Sequence, residues 1–301
     1  MILRAGDRTL TFGGGRRPLL MGVLNATPDS FSDSRDVRTL DDRLRVAERL
    51  LADGADVLDV GGESNVTNRP AVSVAEELER VVPLIERLAG ELGALLSVDT
   101  YKAPVAEAAL AAGARIVNDI SGLADPALAE LCAGSGAAYV LMHTPVPPKT
   151  QEHREDRFAG RDAATEVRDW LAERMDVARA HGLAAEQVLL DPGPDFGKTP
   201  AQTVEILRGL PRLHELGRPL LLAVSRKDFV GAITLRRPRE RLAGTLAAVG
   251  WGADAGAAVF RVHDVREVAE FLAVRAVLRG DEQLPAGARV PEHLRREAPI
   301  P

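Results

Sequence analysis

Seven short apolar runs in this 301-residue chain each stop at a polar or charged residue: Asn25, Asp59, Asp99, Asn118, Asp191, Lys227 and Arg261. Runs of this length read as buried parallel strands, whose carboxyl ends converge on one face of a barrel. Packing alone would fill such positions with apolar or turn residues. A convergent ring of carboxylates, amides and cations therefore marks a site.

Strand-like runs recur eight times, at 19–24, 56–60, 94–98, 114–118, 137–142, 187–191, 219–224 and 257–262. Between them lie segments rich in Ala, Leu, Glu and Arg that read as helices, among them 40–52, 74–92, 163–181, 239–255 and 265–278. Several end in a helix-stopping glycine, such as Gly93 and Gly217. Eight alternations predict an α/β chain folded as a (β/α)8 barrel of TIM type, more than an open doubly wound sheet with its usual five or six strands. Ile2 to Phe12 and the glycines that follow predict an N-terminal β-hairpin that plugs the barrel. Residues 1–280 form one domain on this reading. Residues 281–301, proline-rich and charged without periodicity, form a C-terminal tail.

With 46% hydrophobic residues the chain can bury a full-sized core. A net charge of -6 and the absence of basic runs argue against nucleic-acid and membrane-surface partners. Any positive charge needed for an anionic ligand must be local. Met1 to Pro18 lacks the apolar stretch of a signal peptide, and no segment approaches the roughly 20 apolar residues of a spanning helix. The expected location is the cytoplasm. The single cysteine, Cys132, reads as a buried core thiol.

Several strand ends carry more than one polar group. The first leads into Asn25, Thr27, Asp29, Ser30, Ser32 and Asp33, which a solvated turn would also explain. The second gives Asp59 and then Gly61-Gly62-Glu63-Ser64, with Arg69 and Pro70 in the same loop. Asp99 ends the third, with Thr100 placed to cap the next helix. Asn118 and Asp119 end the fourth, one facing inward and the other capping. Asp191 ends the sixth, followed by Phe196 and Lys198 on a Pro-Gly loop, where Phe196 is either a stacking surface for a flat heterocycle or a core residue. Ser225, Arg226 and Lys227 follow the seventh strand, and the eighth carries Arg261, His263 and Asp264. Cations at the last two strand ends suit phosphate. His143 has no second His or Cys at ligand spacing and is a weak metal candidate.

The ordered set LMGVLNATPDSFSD, GADVLDVGGES, LSVDTYK, IVNDISG, VLLDPGPDFGKT, LAVSRKDFVG and VFRVHDV resembles dihydropteroate synthase, of the pterin-binding barrel family, from about Leu19 to Leu278. The resemblance implies condensation of 6-hydroxymethyl-7,8-dihydropterin diphosphate with 4-aminobenzoate, releasing diphosphate and 7,8-dihydropteroate. It places Asp99, Asn118, Asp191 and Lys227 on the pterin, with Phe196 as a floor. Arg261 either stacks on the other face or touches the diphosphate. It assigns Asn25 to Mg²⁺ and diphosphate, His263 and Arg69 to the same anion, and Asn68, Arg69, Pro70 and Asp228 to the aminobenzoate side. Asp33 would help close the first loop near a pterin cation formed by early loss of diphosphate, with Asp99 and Lys227 as its catalytic partners. A homodimer is implied, with helices 239–255 and 265–278 as candidate surface.

The chain departs from the family pattern in four places. Three residues are inserted in the second loop, where Asn68 replaces a threonine; Ser34-Arg35 replaces a glycine pair; Asp195 stands where glycine is usual; and Asp228 follows the SRK motif where serine is common. Asp228 would repel the aminobenzoate carboxylate unless it turns away or is paired. An alternative is a divergent paralogue that binds pterin diphosphate but uses another amine or has no catalysis. A methyltetrahydrofolate-binding methyl-transfer module would leave the SRK and RVHD motifs unexplained.

Overall fold

The computed structural model describes residues 1–27, 39–64, 70–150, 152, 154–158 and 160–295. An antiparallel hairpin, β1 (Ile2–Ala5) and β2 (Arg8–Thr11), precedes eight parallel strands. These are β3 (Leu19–Asn25), β4 (Val57–Gly61), β5 (Leu96–Asp99), β6 (Ile116–Asp119), β7 (Ala138–Met142), β8 (Val188–Asp191), β9 (Leu221–Leu222) and β10 (Val259–Val262). Neighbours follow chain order from β3 to β8, β10 pairs with both β3 and β9, and the parallel bridge Leu190–Leu220 joins β8 to β9 and closes the ring. This is the expected (β/α)8 barrel. β9 is shorter than the run 219–224 suggests: Leu220 makes only an isolated bridge to Leu190, and the strand stops at Leu222.

The helices are α1 (Leu40–Ala52), α2 (Val74–Leu92), α3 (Ala103–Ala112), α4 (Ala127–Ser135), α5 (Ala163–Ala180), α6 (Pro200–Arg208), α7 (Leu210–Leu213), α8 (Asp228–Thr234), α9 (Leu242–Asp254) and α10 (Val265–Arg279). Side-chain caps set many starts: Thr39 with Asp42 on α1, Ser73 on α2, Asp162 on α5 and Thr199 with Gln202 on α6. Two boundaries differ from expectation. Lys102, not Thr100, is the N-cap of α3, and the Thr100 hydroxyl instead accepts from the Lys102 amide just outside the helix. α9 begins at Leu242 because Pro238 first starts a separate 3-10 turn over 238–240.

Strand alternation divides the core into two layers. Outward residues such as Leu58, Val60, Val98, Val117 and Leu141 pack against the helices. Inward residues Met21, Val57, Ile116, Ala138, Val140, Leu189, Leu221 and Val259 fill the lower barrel together with Leu3, Ala5 and Phe12 of the hairpin. The hairpin is thus the expected plug, and Arg218 Nη2 donates to the Ile2 carbonyl at 2.8 Å to anchor it. Above this apolar layer, toward the carboxyl ends of the strands, the inward positions become polar: Asp59, Ser97, Asp99, Asn118, Asp191 and Arg261. Cys132 is buried, and burial pushes its thiol up to about 12. Past Gly280 the described residues are exposed and hold one 3-10 turn, Glu292–Leu294. Among the described residues no helix is long and apolar enough to cross a membrane.

If the hairpin is an integral plug, Leu3→Ala is expected to lower unfolding free energy by about 2–4 kcal/mol in urea titration. A loss under about 1 kcal/mol would mean that the barrel closes without it.

Candidate functional site

The floor of the barrel mouth is a hydrogen-bonded cluster of four side chains on β4, β5, β6 and β10. Arg261 donates from Nε to Asp59 Oδ2 at 2.6 Å and from Nη2 to Asp99 Oδ2 at 2.7 Å. Asn118 Nδ2 donates to the same Asp59 oxygen at 3.0 Å. The register sets Asp99 opposite Asn118, so these neighbours point inward together. Burial opposes the Arg261 charge, but Asp59 and Asp99 outweigh it and hold the guanidinium above its ordinary pKa. Two bonds to different carboxylates fix the guanidinium plane and leave its faces for a flat ring. Asp119, the second polar residue at the end of β6, turns away and accepts from the amides of Ser121 and Leu123, which fixes that turn.

The opposite wall comes from the loops after β8 and β9. Asp191 Oδ1 accepts from the Gly193 amide at 2.7 Å. Burial pushes the Asp191 carboxyl up to about 6, against the opposing pull of that amide, Lys227, Lys198 and Arg261. Phe196 is half-buried, and the Lys227 ammonium sits 4.2 Å from its ring centroid. Burial lowers the Lys227 pKa, with Asp195 and Asp191 pulling it back. Behind this loop Lys198 is fully buried and donates to the carbonyls of His143, Gly193 and Phe196 at 3.1, 2.7 and 3.1 Å. Burial pushes it down to about 7. Gly193 is required here: its φ is +64°, and a Cβ would lie 2.1 Å from the His143 carbonyl oxygen.

Charge at the last two strand ends is more fully paired than the sequence suggests. Arg226 forms a two-point pair with Asp264. His263 shares Nδ1 with Ser225 Oγ at 3.0 Å, and burial together with Arg226 and Arg261 pushes its pKa down to about 3. The ring is therefore neutral at neutral pH and would meet an anion as a dipole. Asn25 ends β3, half-buried at the mouth.

On the remaining side, Asp33, Asn68 and Arg69 lie outside the described residues. Pro70 is exposed. The ends of that loop are tied to Glu63, which accepts from Lys102 at 2.6 Å, the Val72 amide at 3.0 Å and the Tyr101 hydroxyl at 3.1 Å. Lys149, from the loop after β7, lies 3.4 Å from Glu63 and donates to the Ser64 carbonyl. Asp228 is 82% exposed and paired with Arg241 at 2.8 Å, so its charge is directed away and compensated. Asp59 belongs to the strand-end ring expected from the sequence, but its role as joint acceptor for Arg261 and Asn118 emerges only in the fold. Period-two alternation accounts for its inward direction, since Leu58 and Val60 point outward.

This arrangement accepts N–H donors at Asp99 and Asp191, both accepts and donates at Asn118, and offers Phe196 and Arg261 as faces for a planar ring. Comparison with known proteins agrees. Residues 21–263 match the family described as pterin binding enzyme. The chain is 40% identical over 269 residues to a dihydropteroate synthase of Synechocystis, covering 89% of this chain and 92% of that one. Among solved structures, a Xanthomonas albilineans dihydropteroate synthase with 4-aminobenzoic acid is 41% identical with a TM-score of 0.82, covering 93% of this chain and 99% of that one. A Burkholderia cenocepacia dihydropteroate synthase complexed with 7,8-dihydropteroate is 40% identical, also with a TM-score of 0.82, covering 93% and 96%.

Because its folded pKa is raised, Asp191 contributes stability that is full below about pH 3.8 and is lost as pH rises through about 6. Carboxyl ¹³C NMR is expected to place its midpoint near 6, and Lys227→Met to move that midpoint upward. A midpoint near 4 in both proteins would contradict a desolvated carboxylate facing Lys227.

Proposed function

The chain belongs to the pterin-binding enzyme family, and we infer that it catalyses the dihydropteroate synthase reaction, joining 6-hydroxymethyl-7,8-dihydropterin diphosphate to 4-aminobenzoate with release of diphosphate. The observation that carries this reading is the closed polar floor Asp59–Arg261–Asp99 with Asn118, facing Asp191 and the Lys227–Phe196 wall. Few ligands other than a fused aminopyrimidinone ring present so many N–H groups and a mixed donor–acceptor edge on one plane.

In this reading Asp99 and Asp191 accept ring N–H groups, Asn118 meets the mixed edge, and Lys227 donates to a ring acceptor. Arg261 stacks on the ring, because the carboxylates already occupy its edge. The C–O bond to diphosphate breaks first, and the amine nitrogen then attacks the carbon that bore it. No side-chain nucleophile is needed, and the floor's carboxylates stabilise the positive ring. By the family resemblance, Asn25, His263 and Arg69 would meet the leaving diphosphate, while Asn68, Arg69, Pro70 and Asp33 belong to loops that order the amine. Asp228 raises no obstacle to an aminobenzoate carboxylate, since Arg241 pairs it. This removes one of the two motives for the divergent-paralogue reading; the other, the altered second loop, lies outside the described residues.

Among the described residues no three His, Cys, Asp or Glu side chains cluster to hold a metal. Among the described residues Asn25, at the end of β3, would offer a side-chain oxygen to Mg²⁺ brought in with the substrate diphosphate. Bound there, the ion offsets leaving-group charge. The reading places the enzyme in the cytoplasm as a homodimer. What supports the dimer is apolar surface on α9 and α10: Trp251, Val274 and Leu278 are 52%, 60% and 82% exposed.

Diphosphate release with Mg²⁺ is expected to depend on 4-aminobenzoate, with dihydropteroate identified by mass. Asp191→Asn and Lys227→Met are expected to lower kcat/KM on the order of 100-fold. Tight pterin binding without that product would instead identify a pterin-binding paralogue. Sedimentation is expected to show a dimer that Leu278→Asp dissociates; an unchanged mass would exclude this surface.

A further inference from the structure

We propose that Asp195 is a positioning residue of the pterin pocket, a clamp that ties the loop after β8 to the start of α8 and so holds Phe196 and Lys227 face to face. The proposal rests on the pterin reading for its consequence and on geometry for its basis. Asp195 Oδ2 accepts from the Asp228 amide at 2.5 Å and the Phe229 amide at 3.3 Å, the first free N–H groups of α8. Its Oδ1 accepts from the Thr203 hydroxyl of α6 at 3.0 Å, and its own amide donates to that hydroxyl at 3.1 Å. One side chain thus joins three elements. The residue after it is Phe196, and the residue before the amides it caps is Lys227, so the clamp brackets the 4.2 Å cation–ring contact.

The backbone is bent to permit this. Asp195 has φ +65°, a region tolerated by Asp and Asn and free for glycine. From the other side Arg241 Nη1 donates to the carbonyls of Arg226 and Lys227 at 2.9 and 3.1 Å. The Lys227 backbone is therefore gripped at both ends. Asp195, Asp191 and Asp228 supply negative charge around the Lys227 ammonium, Arg261 and Lys198 positive charge, and Phe196 its ring. Among these charges Asp195 exerts the largest pull toward the protonated lysine. Loss of Asp195 removes both the grip and that pull.

Two variants separate them. Asp195→Asn keeps an acceptor for the α8 amides without the charge, whereas Asp195→Gly removes both and keeps the backbone conformation. Following Lys227 Cε by ¹³C NMR, both variants are expected to lower its titration midpoint by on the order of one unit. In steady-state assays Asp195→Gly is expected to raise KM for pterin diphosphate about tenfold with KM for 4-aminobenzoate unchanged, and Asp195→Asn to raise it less. An unchanged Lys227 midpoint in both variants overturns the clamp, as does a rise of both KM values together. Wild-type protein with no turnover would overturn the functional reading instead, and the NMR comparison would still decide the clamp.

Discussion

The mouth of this barrel depends on one buried guanidinium held between two carboxylates. Arg261 on β10 bonds Asp59 on β4 and Asp99 on β5, reaching across β3, which separates β10 from β4 in the sheet. Burying three charges is expensive, and removing one partner from such a cluster costs about 3–5 kcal/mol. What the cluster supplies is fixed geometry: Asp59 also takes the Asn118 amide, so the donor and acceptor ends of that side chain are assigned. Within the floor, Asp59 and Asp99 outweigh Arg261 by one negative charge. A floor with that surplus suits a ring that becomes positive when its leaving group departs.

Such a cluster can be held only by stiff surroundings. Below it, the lower barrel is filled by buried apolar side chains, including Leu3 and Phe12 of the hairpin. Around it, parallel strands and capped helices fix where each strand ends. The chemistry thus occupies the layer of the barrel where inward positions are polar.

Much of this was legible in the sequence because a strand has period two and a barrel has one catalytic face. Asp99, Asn118, Asp191, Lys227 and Arg261 were all marked by the abrupt end of an apolar run. What sequence could not give was pairing between distant strands. That Arg261 is shared by Asp59 and Asp99 follows from barrel closure, at separations of 202 and 162 residues. That burial beside two arginines lowers the His263 pKa is likewise visible only in the fold. Lys198, read as a loop residue, proved to be an internal strut whose three carbonyl partners are assembled only by the fold.

The departures from the family pattern carry a related lesson. Asp195 and Asp228 lie in separate motifs, and each taken alone places an extra carboxylate in a site built for anionic substrates. In space they meet: the Asp195 carboxylate accepts the Asp228 amide, while the Asp228 carboxylate turns outward to Arg241. A negative group at the first turn of a helix is favourable, because free amides and the helix dipole both attract it. The two extra charges are therefore spent on the start of α8 and on Arg241, not on the ligand. The helix that presents Lys227 thereby gains a tether to the loop that presents Phe196.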